Sequence, residues 1–294
     1  MNADTGTLLL LPRRSAPGFR VRYTLPNLAP LLLGRPIAEA EALTGRLHAV
    51  CGSAHRVALA RAVVDATNAV MTRARCVTWM LLLVIEQAEV MARRVALDLP
   101  GAGGESAKPE EARPVLAAAR VARHALGVAS VRGPLAPNVA ALPGAMAELS
   151  DAFDRLIGAH RGRPVPVIDD DGAGLQSLVD EAWSMPHITA DALAAAVTEA
   201  ADVAAEPALP PVDRGSGVGS ADTVRGRLTT KVGFMCGDVV TIEWTTPTDR
   251  LFTEGGFGAL LLEQWAGSAR DLAVLMAALD PCVPWRTSAA QVHA

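Results

Sequence analysis

Short apolar-rich runs at residues 7–11 and 19–24 flank Ala16-Pro17-Gly18, which predicts two short strands around a turn. The pattern then changes to helical spacing. Residues 36–49 predict a helix, with Pro36 early and Glu39 and Glu41 near its start, where carboxylates favour the helix dipole. A second helix is predicted over 53–69, just after Cys51-Gly52. The strongest helical signal runs from Arg73 to Asp98: Leu82, Ile85, Ala88, Ala92 and Leu97 fall on one stripe, and Leu99-Pro100-Gly101 is expected to stop it. Residues 101–109 read as a connector, and 110–126, 139–159, 175–183 and 190–204 as further helices. Asp169-Asp170-Asp171-Gly172 reads as a solvated turn, because it lacks the alternating ligands and closing Glu of a calcium loop. Residues 206–219 are rich in Pro and Gly and read as a linker. Beyond it the period shortens: 223–233 and 239–245 predict two strands around Cys236-Gly237-Asp238, and 258–279 a final helix ended by Asp280-Pro281. The expected fold is mainly α with a small β element (α+β).

Half of the 294 residues are hydrophobic, enough for a large core. Only 4% are aromatic, while Ala and Leu dominate, which favours helix. The net charge of −4 carries no basic surplus for nucleic acid and no polybasic run for acidic lipid. The longest apolar run, 77–85, falls well short of the roughly 20 residues a membrane span needs. No signal peptide is recognisable, and a soluble, cytoplasmic protein is the expectation. The four cysteines, Cys51, Cys76, Cys236 and Cys282, have no CxxC pair, so a thiol site must be assembled from distant parts of the chain.

Two segments carry chemistry. Near the start stand Gly34-Arg35-Pro36, Glu39-Ala40 and then Arg46-Leu47-His48-Ala49-Val50-Cys51-Gly52-Ser53-Ala54-His55. Near the end stands Asp280-Pro281-Cys282-Val283-Pro284-Trp285. Together they resemble the two metal-binding motifs of nickel–iron hydrogenase large subunits, Arg-x-Cys-Gly-x-Cys-x-x-x-His and Asp-Pro-Cys-x-x-Cys-x-x-His. Arg46, Cys51 and His55 fit the first motif, while His48 stands in the place of its first cysteine and Ala49 in that of its glycine. Asp280, Pro281 and Cys282 fit the second, while Trp285 replaces its second cysteine and Ser288 its histidine. Arg225-Gly226, Pro247-Thr248 and Gly255-Gly256 follow the order of elements ahead of the family's last helix. The resemblance covers residues 30–98 and 222–288.

The resemblance implies a pared-down hydrogenase large-subunit-like helical bundle. It divides one domain, 1–294, into an N-terminal motif half (1–100), a variable helical insert and linker (101–221), and C-terminal strands, helix and second motif (222–294). The family's dinuclear centre is held by four thiolates, soft donors suited to nickel and to carbonyl- and cyanide-bearing iron. One cysteine of each pair remains, an indole N–H cannot ligate, and the family's N-terminal Arg-x-Glu-Gly-His segment has no match at 19–23. Hydrogen turnover is not expected, so the chain is not read as an enzyme, and nickel is not an expected cofactor. This incomplete pattern resembles the HupK/HoxV group of hydrogenase accessory proteins. Membership implies a scaffold or chaperone that transiently holds the Fe(CN)2CO centre. Its partners would be a small HypC-type chaperone, the iron-delivery complex and the large-subunit precursor.

On this reading Cys51 and Cys282 are metal ligands and should lie close together, with His48 as a further candidate. His55 would orient the ligands, and Arg46 and Arg225 would hydrogen-bond cyanide nitrogens. The plainer readings are buried structural thiols for Cys51 and Cys282, helix capping or packing for His48, and surface salt bridges for the arginines. Cys76 and Cys236 are read as structural, and Glu86, Glu89 and Arg93 as an ion-paired helix surface. The rival functions are a docking homologue without metal and a true hydrogenase or hydrogen-sensor subunit.

Overall fold

A computed structural model describes residues 6–48, 50–127, 138–161, 163, 165–167, 175–200 and 209–288. The chain opens with the two strands the sequence predicts, β1 (Thr7–Pro12) and β2 (Phe19–Thr24), which pair antiparallel. Helices α1 (Ile37–Leu47), α2 (Gly52–Thr67) and α3 (Arg73–Arg93) follow. Thr72 caps α3, accepting the Arg75 N–H at 3.2 Å. α3 buries Trp79, Leu81, Leu82, Ile85 and Met91 almost completely. A helix apolar nearly all round belongs at the centre of a bundle, and α3 packs there against α2, α5 (Pro109–Ala125), α6 (Leu142–His160) and α7 (Leu175–Glu199).

Several boundaries differ from the sequence reading. α3 does not stop at Leu99: it passes through a widened π turn at Arg94–Asp98 into α4 (Leu99–Gly103). Pro100 falls in the first turn of α4, where a missing N–H costs nothing. The predicted helices at 175–183 and 190–204 are one helix, α7, with Pro186 inside it. The acidic turn at 169–172 and residues 201–208 lie outside the described residues. The predicted final helix is two, α9 (Phe257–Glu263) and α10 (Ala269–Leu279). Ser268 starts the second by accepting the Asp271 N–H at 3.1 Å, a capping signal that outweighs the apolar periodicity running through it.

The linker reading of 206–219 fails from Arg214 onward, where β3 (Arg214–Thr223) begins an antiparallel meander with β4 (Gly226–Met235) and β5 (Asp238–Thr245). Its glycines are a packing surface. A Cβ built on Gly217 would meet the Ala62 carbonyl oxygen at 2.0 Å, and one on Gly219 the Ala58 oxygen at 2.0 Å. Glycine at every second position therefore lets β3 lie directly on the backbone of α2. Cys236 and Gly237, both at positive φ (54° and 82°), close the β4–β5 hairpin. After α8 (Pro247–Phe252), α9 and α10, a short strand β6 (Trp285–Thr287) adds parallel to β1, giving the order β2-β1-β6. This pairing carries the end of the chain back to its beginning. No described helix is long and apolar enough to cross a membrane.

Candidate metal-carrying site

Cys51 closes the α1–α2 loop at the N-cap of α2. The glycine after it is required by close approach: a Cβ on Gly52 would stand 2.2 Å from the Gly45 carbonyl oxygen. Glu86 reaches the same helix end from α3. It is buried, accepts the Ser53 N–H, and accepts the Ala54 N–H at 3.1 Å. Glu89 pairs instead with Arg123 of α5. The expected ion-paired surface of Glu86, Glu89 and Arg93 is thus corrected: one carboxylate caps a buried helix terminus, where free N–H groups favour negative charge, and the other bridges two helices.

Cys282 comes from the other end of the chain. Asp280 ends α10 in the left-handed region (φ 44°), and two guanidinium groups grip its carboxylate, Arg94 at 3.0 Å and Arg225 at 3.0 Å. Arg225 Nε also donates to the Asp280 carbonyl at 2.8 Å. Two residues on, the Cys282 N–H donates to the Thr248 hydroxyl at 3.1 Å. Thr248 lies in α8, whose N-terminus is held by a capping box between Thr246 and Asp249. The Tyr23 hydroxyl from β2 donates to Asp249 at 3.0 Å. Four separate elements thus fix the loop that carries Cys282.

Val50, Asp98, Arg225, Asp280, Cys282 and Trp285 are among the residues lining one cavity of about 510 Å³. Cys51, next to Val50 in the chain, is not itself among the lining residues, but its thiol is near enough to Arg225, and to Cys282 in its ionised form, for their charge to act on it. Burial pushes the Cys51 thiol far up; Glu86 and Cys282 add to the effect and Arg225 opposes it. Burial raises the Cys282 thiol as well, while the Thr248 hydroxyl and Arg225 favour its thiolate. Both sulfurs are therefore neutral thiols at neutral pH, and an arriving metal cation must displace their protons.

The remaining sequence candidates sit close by. His48 and His55 stack with ring centroids 3.4 Å apart, and the Trp244 ring meets both edge-on at 5.3 and 6.0 Å. His48 Nδ1 lies 3.0 Å from the Thr44 carbonyl. A carbonyl only accepts, so this nitrogen carries the proton and Nε2 is left with the lone pair. His55 Nδ1 is buried without a hydrogen-bond partner among the described residues. Arg46 is exposed and donates to the Ala42 carbonyl at 3.3 Å. His48 and Arg46 line a neighbouring groove. The structure thus brings Cys51, Arg225 and Cys282 near one another, while His48 and His55 stack against Trp244 and His48 and Arg46 line the neighbouring groove. Cys76 and Cys236 are both exposed, away from any core role. Among the described residues no three His, Cys, Asp or Glu side chains converge as a ligand set. Sequence reasoning missed Tyr23, Arg94 and Asp249, which act through partners far away in the chain; only the Thr246–Asp249 capping pattern was visible locally.

The stacked imidazoles predict a pH dependence. Burial lowers the His55 pKa well below its ordinary 6.5, and His48 adds to that; burial lowers His48 too. A folded-state pKa below the unfolded one gives stability that is present above pH 6.5 and lost as pH falls toward the depressed folded value. Thermal melts should therefore show a falling Tm as pH is lowered from about 7.5 to about 5.5. His55→Phe keeps an aromatic stack without the titrating group and should flatten that fall.

The residues present do not fit a nickel–iron dinuclear centre. Among the described residues only one thiol, Cys282, lines the cavity, with Cys51 near it, and Trp285, in the place of another ligand, is held in β6 opposite Leu8. No protein-family model matches the chain, and no curated protein matches its sequence. Solved structures do match. The Ni-Fe-Se hydrogenase of D. vulgaris Hildenborough superposes with a TM-score of 0.60 at 11% identity, covering 92% of this chain and 94% of that one. The [NiFeSe]-hydrogenase of Dm. baculatum gives 0.62 at 10% identity, over 92% and 94%. The membrane-bound sulfane sulfur reductase, an archaeal respiratory membrane complex, gives 0.63 at 11% identity, over 90% and 89%. With a helical core, small sheets and this overlap, the chain has the α+β fold of hydrogenase large subunits.

Proposed function

We propose that this protein is a non-catalytic maturation factor for nickel–iron hydrogenases, one that transiently carries the Fe(CN)2CO centre as cargo. The observation that supports this reading is that Cys51 and Cys282, from opposite ends of the chain, come within electrostatic reach of each other beside Arg225, with Cys282 and Arg225 lining one cavity. Two soft thiolates match low-valent iron. They also leave the iron incompletely enclosed, so that it can be passed on; four would retain it. Arg225 has N–H donors beyond the two committed to Asp280, suited to cyanide nitrogen. The partners on this reading are a small HypC-type chaperone and the iron-delivery complex on the loading side, and the large-subunit precursor on the receiving side.

A second reading, a docking homologue that carries no metal, is favoured by one feature: burial holds both thiols protonated. Iron analysis separates the two. Protein co-expressed with the hydrogenase maturation proteins and purified without oxygen should carry stoichiometric iron, and that iron should protect Cys51 and Cys282 from alkylation while Cys76 and Cys236 react. Iron-free protein with all four thiols equally open to alkylation would favour the docking homologue.

A further inference from the structure

A second concavity of about 250 Å³ lies between the end of α1, the start of α2, the C-terminal half of α3, and α5. Four guanidinium groups line it, those of Arg46, Arg56, Arg93 and Arg123. Two are neutralised, Arg56 by Glu41 at 2.7 Å and Arg123 by Glu89. The one other carboxylate in the lining, Glu86, is committed to the backbone of Ser53 and Ala54. Arg46 has only the Ala42 carbonyl, and Arg93 has no hydrogen bond or ion pair among the described residues. Arg46 and Arg93 thus face one groove without an ion-pair partner among the described residues, offset in part by the Glu86 carboxylate, in a protein whose net charge is −4. Like charges gathered in a concavity raise the local concentration of an anion and reward one that fills it. Val50 lines both this groove and the thiol cavity, so an occupant sits next to Cys51.

We propose that the groove is a docking site for an acidic segment of a partner polypeptide, whose carboxylates bridge Arg46 on α1 and Arg93 on α3. A tight site for a free oxyanion needs buried donors fixed around it, whereas Arg46 and Arg93 are both exposed. Exposed arginines on two elements suit a chain laid across the surface, with electrostatics setting orientation and on-rate. The inference rests on the groove and not on iron being carried, so the two can fail separately.

The test uses the full-length, iron-free protein and a fluorescent hexaglutamate peptide, with binding followed by anisotropy at low salt. Wild type should bind, with affinity falling steeply as salt rises. The double substitution Arg46→Ala/Arg93→Ala should weaken binding about tenfold or more. Arg113→Ala/Arg155→Ala, at exposed positions of α5 and α6 outside the groove, should leave it unchanged. Among the described residues neither Arg46 nor Arg93 is ion-paired, so the variants should keep the wild-type Tm; Arg46→Gln/Arg93→Gln keeps polar bulk should the alanines disturb the fold. Binding insensitive to either groove double variant would overturn the proposal. So would arginine-dependent binding of inorganic phosphate with none of the peptide, which would mark a site for a free anion instead.

Discussion

Cys51→Ser and Cys282→Ser should each lower hydrogenase activity in a maturing strain by about tenfold or more while leaving the Tm of this protein within about 2 °C of wild type. A serine hydroxyl stays protonated and is a hard donor, so it replaces a thiolate on soft iron poorly. At a purely structural buried site the same change acts on stability instead, by adding a polar group without a partner. The surroundings of the two residues support the first outcome. Each residue keeps some solvent exposure where a hydroxyl can meet water, and serine would keep the Cys282 N–H bond to Thr248. Cys76→Ser is the control: Cys76 is exposed on α3, and its replacement should change neither readout. Full hydrogenase activity with both variants at limiting iron would mean that the thiols carry nothing.

Gly217→Ala and Gly219→Ala should each cost about 3 kcal/mol or more, the upper range for overpacking, and lower Tm by roughly 6–12 °C in a chain of this size. The added Cβ would meet a backbone carbonyl of α2 at 2.0 Å in either case. Backbone cannot rotate aside as a side chain does, so relief requires lifting the β3-β4-β5 meander off α2. That also disturbs Arg225, which lies in the β3–β4 turn and holds Asp280. Gly158→Ala is the matched control. Gly158 is exposed in α6, nothing lies within 4 Å of a Cβ there, and alanine should raise stability by about 0.5–1 kcal/mol. Chemical denaturation of the three variants gives the comparison; equal stability of Gly217→Ala and wild type would show that β3 does not lie on α2.

Where local chemistry decided the structure, the sequence was legible. β1 and β2 around Ala16-Pro17-Gly18, α1 behind Pro36, and α2 after Cys51-Gly52 form within about two residues of their expected bounds. Where tertiary packing overrode a local rule, it was not. Gly215, Gly217 and Gly219 look like linker until α2 is placed beneath them. Pro186 does not break α7, and Pro100 merely opens α4. β6 is too short to signal itself and exists because β1 offers an edge. At the site, resemblance picked out the residues that meet, Cys51, Arg225 and Cys282. It did not show that Arg225 shares Asp280 with Arg94, or that Tyr23 reaches Asp249 across the fold. Glu86 was misread because a carboxylate on an apolar helix looks the same in sequence whether it meets water or the N-terminus of a neighbouring helix.

The central claim is that the two thiols carry iron bearing cyanide and carbonyl. Infrared absorption tests it most directly, because those triple bonds absorb where protein does not. Protein purified without oxygen from cells with active hydrogenase maturation should show cyanide and carbonyl bands, and the Cys51→Ser/Cys282→Ser protein prepared the same way should show none. Wild-type protein without bands, from cells whose iron-delivery complex displays them, would contradict the account.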